Sequence, residues 1–317
     1  MSALQLTADG RLRHLLDLAT LDPSLIRTLI ARAERYRAAP GEDPPRNTKL
    51  AGRIVANLFC EPSTRTRASF EIAARRLGAD VLNLDLETSS LVKGETLADT
   101  LHTLQAMNVD IVVVRHAQAG VPAALAAEAL PHVCVVSAGE AHVSHPTQGL
   151  LDAFTVLRHR PRPETSCALI VGDILHSRVA RSAVPALRAI GIGEIRLAGP
   201  PELLPAGERL GDRVFHDFEH ALQGADVIMM LRIQKERMAA SALPDAADYF
   251  RRWGLTAERL ALARPGAIVM HPGPVNRGVE IDSAVADGPQ SVIREQVNNG
   301  VAVRMAVLAT LMETVRG

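Results

Sequence analysis

The fold is decided by the stretch RIVANLFCEPSTRTRASF, residues 53–70, where the pattern of the sequence changes from strand to helix. Residues 53–60 form a short run rich in apolar side chains, which is typical of a buried parallel strand. Residues 61–67 are polar, and a helical pattern begins near Ser69. A buried strand followed by a loop and a helix predicts the start of a βαβ sheet.

The same alternation continues along the chain and predicts an α/β fold. Further strands are predicted at residues 81–85, 110–115, 132–137, 167–172, 194–198, 213–216, 226–231 and 267–271. So many strands favour two doubly wound parallel-sheet domains, with helices on both faces and the active site in the cleft between them. The predicted domains are residues 1–144 and 145–299. A C-terminal helix at 300–317 is predicted to pack back on the first domain.

The composition of the 317 residues excludes several classes of protein. Hydrophobic residues make up 47% of the chain, and 35 basic residues balance 35 acidic ones. This neutral balance and an aromatic content of only 3% argue against binding to nucleic acid. No apolar run approaches the ~18 residues of a membrane span, so we expect a cytoplasmic globular protein without a membrane partner. The three cysteines are predicted to be buried thiols.

The loop at residues 63–67 has the composition of an anion site. Hydroxyl groups, guanidinium groups and backbone N–H groups converge there on the start of a helix, which suits a phosphate group. The loop lacks the glycine patterns of a Walker loop or a dinucleotide fingerprint, so a nucleotide is not the first expectation. Charge pattern alone leaves open that Ser63 and Thr64 cap the helix while Arg65 and Arg67 face solvent.

Two further motifs follow strands of the first half. Arg115 closes the strand at residues 111–114, and His145 opens the helix that begins with Pro146-Thr147-Gln148. A guanidinium group and an imidazole donor are the groups that stabilise a carbonyl oxygen as it becomes an oxyanion. The alternative that His145 has a purely structural role stays open, because the chain contains 11 histidines.

The second half places arginines and a rigid turn after its strands. Arg178 follows the strand at residues 169–172, and Arg232 follows the strand at residues 227–231. Two arginines in such positions predict a substrate with carboxylates, although ion-paired surface arginines remain the alternative. The turn HPGP at residues 271–274 holds its carbonyls rigidly, and these can accept hydrogen bonds from a small amide.

Together these motifs resemble the transcarbamoylase family, whose members bind carbamoyl phosphate. The resemblance rests on residues 59–71, FCEPSTRTRASFE, and on HPTQ at 145–148, and it spans nearly the whole chain. KGET at 93–96, RIQKER at 232–237 and HPGP at 271–274 are similar to the members that use aspartate as the acceptor. Members that use ornithine carry an Asp and a Ser-Met-Gly in the second-substrate loop and a Cys in the last turn, and neither feature is present here.

The resemblance implies transfer of the carbamoyl group from carbamoyl phosphate to the α-amine of L-aspartate, in pyrimidine biosynthesis, with no metal or cofactor. It also implies which residues bind each part of the two substrates. The parts of carbamoyl phosphate are the phosphate (Ser63, Thr64, Arg65, Thr66, Arg67), the carbonyl oxygen (Thr66, Arg115, His145) and the amide (Gln148 and the carbonyls of Gly273 and Pro274). The second substrate, aspartate, would be bound by Lys93, Arg178, Arg232 and Gln234. The catalytic residues would be Arg65, Thr66, Lys93, Arg115 and His145.

The resemblance also implies a homotrimer with shared active sites. In the family, the loop that contains Ser89 and Lys93 reaches into the site of the neighbouring subunit. The residues around Gly273 resemble members without dedicated regulatory chains, and further assembly with a dihydroorotase-like or regulatory chain is left open.

Three rival functions remain at this point. Ornithine or another amine could be the acceptor, although two arginines disfavour a cationic side chain. A phosphate-binding or nucleic-acid module would use the same loop, but the charge balance disfavours it. A dehydrogenase is disfavoured because Val171-Gly172-Asp173 lacks the further glycines that a pyrophosphate requires.

Overall fold

The computed structural model describes residues 2–39, 41–44, 47–84, 94–207, 210–234 and 245–316. Its strands are β1 Ile54–Phe59, β2 Asp80–Leu84, β3 Ile111–His116, β4 Cys134–Glu140, β5 Cys167–Val171, β6 Glu194–Ala198, β7 Arg213–Phe215, β8 Val227–Met230 and β9 Ile268–Met270. Its α-helices are α1 Ser2–Gln5, α2 Pro23–Ala33, α3 Thr64–Arg76, α4 Leu97–Ala106, α5 Val121–Glu128, α6 Pro146–His159, α7 Arg178–Ala189, α8 Phe218–Leu222, α9 Ala246–Trp253, α10 Ala257–Leu260, α11 Ser283–Ala286 and α12 Ile293–Arg316.

The chain divides into two compact units. Unit 1 comprises Met1–Leu151 and Asn298–Gly317, and unit 2 comprises Asp152–Val297. The predicted boundary after residue 144 lies just before α6, whereas this division falls within α6. The chain passes back to unit 1 within α12. No helix in the described ranges is long and apolar enough to cross a membrane.

Unit 1 contains a four-stranded parallel sheet in the order β2-β1-β3-β4. Strand β3 begins with four buried β-branched residues and every residue of β4 is buried, as expected for a parallel sheet covered on both faces. The core includes Leu58, Val112 and Val114 from the sheet and Leu101 from α4. Burial of each such side chain contributes about 1.5–3 kcal/mol to the stability of the fold. The core therefore holds the ends of the strands in place.

Helix α12 also packs in unit 1. Arg316 donates to Asp110 Oδ1 over 2.8 Å, and Glu313 Oε1 accepts from Lys49 Nζ over 2.6 Å. The guanidinium group of Arg304 lies 5.0 Å from the centre of the Phe70 ring, which joins the middle of α12 to α3. These contacts join α12 to residues of unit 1 in the first half of the chain.

Unit 2 contains a five-stranded parallel sheet in the order β7-β6-β5-β8-β9. Its core contains Leu169 and Ile228 from the sheet together with Tyr249 and Trp253 from α9. Two parallel sheets with helices confirm the predicted fold class. The predicted strands all lie at or within a few residues of the observed ones.

In each sheet, the direction in which the chain adds strands reverses near the middle of the sheet. This reversal marks the place where ligands usually bind. In unit 1 the chain moves from β1 outward to β2 and then returns to β3 on the other side. In unit 2 it moves from β5 outward through β6 to β7 and then returns to β8. The carboxyl ends of the strands at such a switch point form the usual ligand crevice of an open α/β sheet.

Two helices begin earlier than the sequence pattern predicts. Helix α3 begins at Thr64 instead of near Ser69, so the loop residues Thr64–Arg67 form its first turn. Helix α12 begins at Ile293 instead of Gly300. In both cases most of the missing residues are polar, so the apolar stripe that marks a helix is weak there.

Candidate active site

The predicted phosphate loop lies at the carboxyl end of β1 and turns directly into α3. Ser63 occupies the position before the helix and makes no side-chain capping bond, and the first turn contains no acidic residue. Thr66 is buried, whereas Thr64, Arg65 and Arg67 are exposed. The first N–H groups and the positive end of the dipole of α3 therefore lie in the same turn as the exposed guanidinium groups of Arg65 and Arg67. This arrangement is suited to an anion.

Arg115 lies beside this loop because β3 pairs with β1. Arg115 is the register partner of Phe59, so its side chain leaves the sheet where the loop begins. Its Nη1 donates to Ala138 O over 3.2 Å, and its Nε lies 3.3 Å from Glu61 Oε2. The side chain is 13% exposed, and this low exposure strengthens its interaction with any charge nearby.

A β-bulge shapes the sheet at this arginine. Val114 pairs with Ser137 but His116 pairs with Glu140, so β4 takes one residue more than β3 over this stretch. Gly139 has a φ of 117°, which a residue with a side chain rarely adopts. Bulges of this kind redirect a side chain at the end of a strand.

His145 and Gln148 begin the helix that follows β4. The carbonyl of His145 accepts from the N–H groups of Gln148 over 2.9 Å and Gly149 over 3.2 Å, so His145 stands at the start of α6. A bridge between Glu140 and Ser144 closes the preceding turn. Both predicted side chains are buried, at 4% and 8% exposure. Unit 1 thus brings its predicted site residues to the carboxyl ends of the adjacent strands β1, β3 and β4.

Cys60 lies at the same edge but is half-buried instead of buried as predicted. Burial, with a contribution from the negative Glu61, raises the pKa of its thiol to about 11. The thiol therefore stays protonated near neutral pH and is a poor nucleophile. Cys134 and Cys167 are buried as predicted.

In unit 2, Asp173 connects two predicted substrate loops. Its Oδ2 accepts from Gln234 N over 3.1 Å, and its Oδ1 lies 2.8 Å from His176 Nδ1 and 3.2 Å from His176 N. Asp173 is fully buried. Gly172 precedes it with a φ of 122°, and a Cβ there would lie 2.8 Å from Leu231 O. A glycine is therefore required for the loop after β5 to approach the end of β8.

The two predicted arginines of unit 2 follow β5 and β8, the strands at the switch point. Arg178 is buried and is the first residue of α7, which Ser177 caps by accepting from Ala180 N. Arg232 is partly buried, and its Nη2 donates to Gln234 Oε1 over 3.2 Å. Arg232 lies just after β8, and Arg178 lies at the start of the helix that follows the adjacent strand β5. Two guanidinium groups in such neighbouring connections suit a ligand with more than one carboxylate.

The predicted turn Gly273-Pro274 follows β9, the next strand of the same sheet. Gly273 N donates to His271 Nδ1 over 2.8 Å, and His271 Nε2 lies 3.0 Å from Glu280 Oε1. Tyr249 is packed nearby, and burial followed by the negative charges of Glu280 and Asp173 raises the pKa of its phenol. A buried carboxylate thus contacts each set of loops in unit 2, Asp173 for the loops after β5 and β8 and Glu280 for the turn after β9.

Most of the predicted site residues, but not all, lie within the described ranges. Ser89 and Lys93, predicted to reach a neighbouring subunit, lie outside the described residues, as does the segment from Lys235. Among the residues that are described, no group of three or more His, Cys, Asp and Glu could hold a metal ion.

No role was predicted for Asp173, for Glu280 or for the imidazole of His271. The available signal for Asp173 was its position directly after a glycine that ends a strand. The position of Glu280, beyond the turn, offered no such signal.

Family comparisons match the chain in two successive parts, and the second of these extends past the end of unit 2 into α12. The carbamoyl-phosphate-binding domain of aspartate/ornithine carbamoyltransferases matches residues 13–158, and the Asp/Orn-binding domain of the same enzymes matches residues 164–311. The chain therefore belongs to the aspartate/ornithine carbamoyltransferase family. Its enzyme class is accordingly carbamoyltransferase.

Solved structures of both kinds of family member are similar to this chain. Aspartate transcarbamoylase from Trypanosoma cruzi in complex with carbamoyl phosphate has 29% sequence identity and a TM-score of 0.82, covering 98% of this chain and 100% of that one. The same enzyme in complex with N-(phosphonacetyl)-L-aspartic acid has 29% identity and a TM-score of 0.81, covering 98% of each chain. Ornithine carbamoyltransferase from Pyrococcus furiosus also has 29% identity, with a TM-score of 0.84, covering 95% and 97%. Overall similarity does not distinguish the two acceptors, so the acceptor must be argued from side chains.

Proposed function

We propose that this carbamoyltransferase uses L-aspartate as its acceptor and produces N-carbamoyl-L-aspartate and phosphate. The observation that carries the proposal is the pair Arg178 and Arg232, which lie in the connections that follow the adjacent strands β5 and β8. Aspartate has two carboxylates, and each matches the bidentate donors of a guanidinium group. The side-chain ammonium of ornithine would instead meet two positive charges.

The residues of both units take the roles that the family resemblance assigns to them. In this proposal the start of α3 and its arginines bind the phosphate, while Arg115, His145 and Thr66 bind the carbonyl oxygen. Gln148 and the carbonyls of Gly273 and Pro274 bind the amide. Aspartate is bound by Arg178, Arg232, Gln234 and Lys93.

The reaction proceeds by addition and elimination. The neutral α-amine attacks the carbamoyl carbon, a C–N bond forms, and the carbonyl oxygen becomes an oxyanion that positive groups stabilise. The C–O bond to phosphate then breaks, and the departing phosphate takes the proton that the nitrogen loses. Positioning of the two substrates supplies much of the remaining rate.

The acceptor is tested by a colorimetric assay for ureido products with carbamoyl phosphate and either L-aspartate or L-ornithine. We expect product with aspartate and none above background with ornithine. Product with ornithine alone would contradict the assignment of the two arginines. Product with neither would contradict the proposed reaction.

A pair of variants links the acceptor to the strand ends. Arg232→Ala should lower kcat/KM for aspartate by about 100-fold, because a charge-assisted bidentate contact is lost. Arg188→Ala is the matched control, since Arg188 lies in the last turn of α7 and its side chain is 50% exposed. Equal losses in the two variants would show that the effect is not specific to the strand ends.

We further propose that the enzyme is a cytoplasmic homotrimer in pyrimidine biosynthesis, with Ser89 and Lys93 contributed to a neighbouring subunit's site. This assembly is supported only by the family resemblance of the sequence. Mixing inactive Lys93→Ala and Arg65→Ala subunits should restore part of the activity, because some sites then combine two intact contributions. Mixtures that stay inactive after subunit exchange would refute shared sites.

A further inference from the structure

The turn after β9 is held by one buried imidazole–carboxylate pair. His271 Nδ1 accepts from Gly273 N over 2.8 Å, and Glu280 Oε1 accepts from Asn276 N over 2.6 Å. Glu280 Oε1 also lies 3.0 Å from His271 Nε2. His271 is 1% exposed and Glu280 is fully buried, so no water competes for these bonds.

The hydrogen bonds define the state of the imidazole. Because Nδ1 accepts from a backbone N–H group, the ring proton must be on Nε2, where it is donated to Glu280. Gln296 supports this arrangement, since its Oε1 accepts from His271 N over 3.0 Å and its Nε2 donates to Asp152 Oδ1 over 2.7 Å. The pair is thus part of a buried network that extends to the start of unit 2.

The network fixes the two peptide groups that flank the carbonyls of the turn. One flanking group is the N–H of Gly273, and the other is the N–H of Asn276. The carbonyls of Gly273 and Pro274 lie between them, and Pro274 itself has no N–H group to donate. No strand or helix includes these residues, so their orientation depends on the side chains that bind the flanking amides.

We propose that His271 and Glu280 are positioning residues that hold the carbonyls of Gly273 and Pro274 for the substrate amide. They thereby give the enzyme its preference for carbamoyl phosphate over acyl phosphates. This inference rests on the proposed function, in which those carbonyls accept from the carbamoyl NH₂ group. A site built to bind an N–H group rejects an analogue that lacks it, because its acceptors are left without donors.

The test compares carbamoyl phosphate with acetyl phosphate, which has a methyl group in place of the amide. Glu280→Ala should raise the KM for carbamoyl phosphate about tenfold, while the inhibition constant of acetyl phosphate stays within twofold. Glu280→Gln keeps an acceptor at Oε1 and should recover most of the preference. A residue with only a structural role would instead raise both constants by the same factor, which would overturn the proposal.

Two substitutions of His271 test the same point if Glu280→Ala fails to fold. In His271→Asn the amide oxygen can occupy the place of Nδ1 and accept from Gly273, whereas His271→Gln reaches only the place of Nε2. We expect His271→Asn to retain more of the preference for carbamoyl phosphate than His271→Gln. The reverse order, or no difference between the two, would contradict the positioning role.

A control and the parent enzyme separate the possible failures. Arg277→Ala removes an exposed ion pair with Asp287, 2.7 Å long, from the same segment, and should leave the preference unchanged. An equal loss in Arg277→Ala would mean that any disturbance of the segment has this effect. If the parent enzyme neither forms a ureido product nor binds carbamoyl phosphate, the proposed function itself fails, and this is seen before any variant is measured.

Discussion

The two units bring their predicted site residues to equivalent places but anchor them differently. In unit 1 the predicted phosphate loop forms the first turn of α3, and Arg65 and Arg67 on it are exposed to solvent. In unit 2 the loops are tied to buried carboxylates, Asp173 and Glu280, which accept from backbone N–H groups. The start of a helix supplies a rigid anion site by its own geometry, whereas irregular loops need side chains to hold their shape.

The largest effect is expected at the phosphate loop. Arg65→Ala should lower kcat/KM by about 10³-fold, or about 4 kcal/mol, because a cation at the leaving phosphate is lost. Unfolding by denaturant should be unchanged, since the side chain is exposed. Arg75→Ala, in the last turn of the same helix, is the control. Unchanged kinetics in Arg65→Ala would mean that the arginine only faces solvent.

The second effect tests the anchoring in unit 2. Asp173→Asn places an amide donor against one of the N–H groups that the carboxylate now accepts, so the loops after β5 and β8 should separate. We expect the KM for the amino-acid acceptor to rise at least tenfold, with the KM for carbamoyl phosphate changed much less. Steady-state kinetics with each substrate varied in turn measures this.

Asp226→Asn is the matched control for that experiment. Asp226 is also buried, and its Oδ2 accepts from Cys167 N over 2.8 Å at the amino end of β5, the opposite edge of the same sheet. The control should lose stability without a change in the KM for the acceptor. If both variants raise that KM equally, Asp173 has no special role in the loops.

The last effect concerns stability instead of catalysis and sharpens the contrast between the anchors. In unit 1 the buried His14 accepts from Val135 N through Nδ1 over 2.9 Å, and burial, aided by the charge of Arg13, lowers its pKa to about 4. The imidazole of His14 is therefore protonated more readily in the unfolded chain than in the folded protein. The contribution of neutral His14 to stability is complete above about pH 6.5 and is lost as the pH falls to about 4. The loss is on the order of 3 kcal/mol.

His14→Asn tests this dependence because Asn can keep an acceptor near Nδ1 but does not titrate. The variant should be less stable at pH 7, since the ring is lost from a buried site, but its stability should vary less between pH 6.5 and 4. Urea unfolding at a series of pH values measures both. A slope equal to that of the parent would show that other groups control the acid response.

Most of the fold could be predicted because buried parallel strands are continuous apolar runs. The residues that follow such strands could also be placed, since parallel strands direct all their carboxyl ends to one edge. The start of α12 could not, because five of its first seven residues are polar. There, Glu295 is held by Arg158 at 2.9 Å and by His159 at 2.9 Å, contacts that span more than a hundred residues.

The anchoring carboxylates escaped prediction for a related reason. Asp173 acts through the backbone of Gln234, 61 residues further along the chain, and no local pattern marks such a partner. A carboxylate in an apolar stretch is costly to bury unless it is hydrogen-bonded, but sequence alone does not say which N–H groups it meets. Roles carried by charge at strand ends are therefore easier to predict than roles carried by backbone contacts.

The division of the chain within α6 and α12 has a consequence for synthesis. Unit 1 is built from two stretches, and the whole of unit 2 lies between them in sequence. On the ribosome, residues 152–297 all emerge before residues 298–316, which add buried side chains such as Met305 and Leu308 to unit 1. The core of unit 1 is thus completed only after the whole of unit 2 has emerged, and its apolar sheet stays partly uncovered until α12 follows.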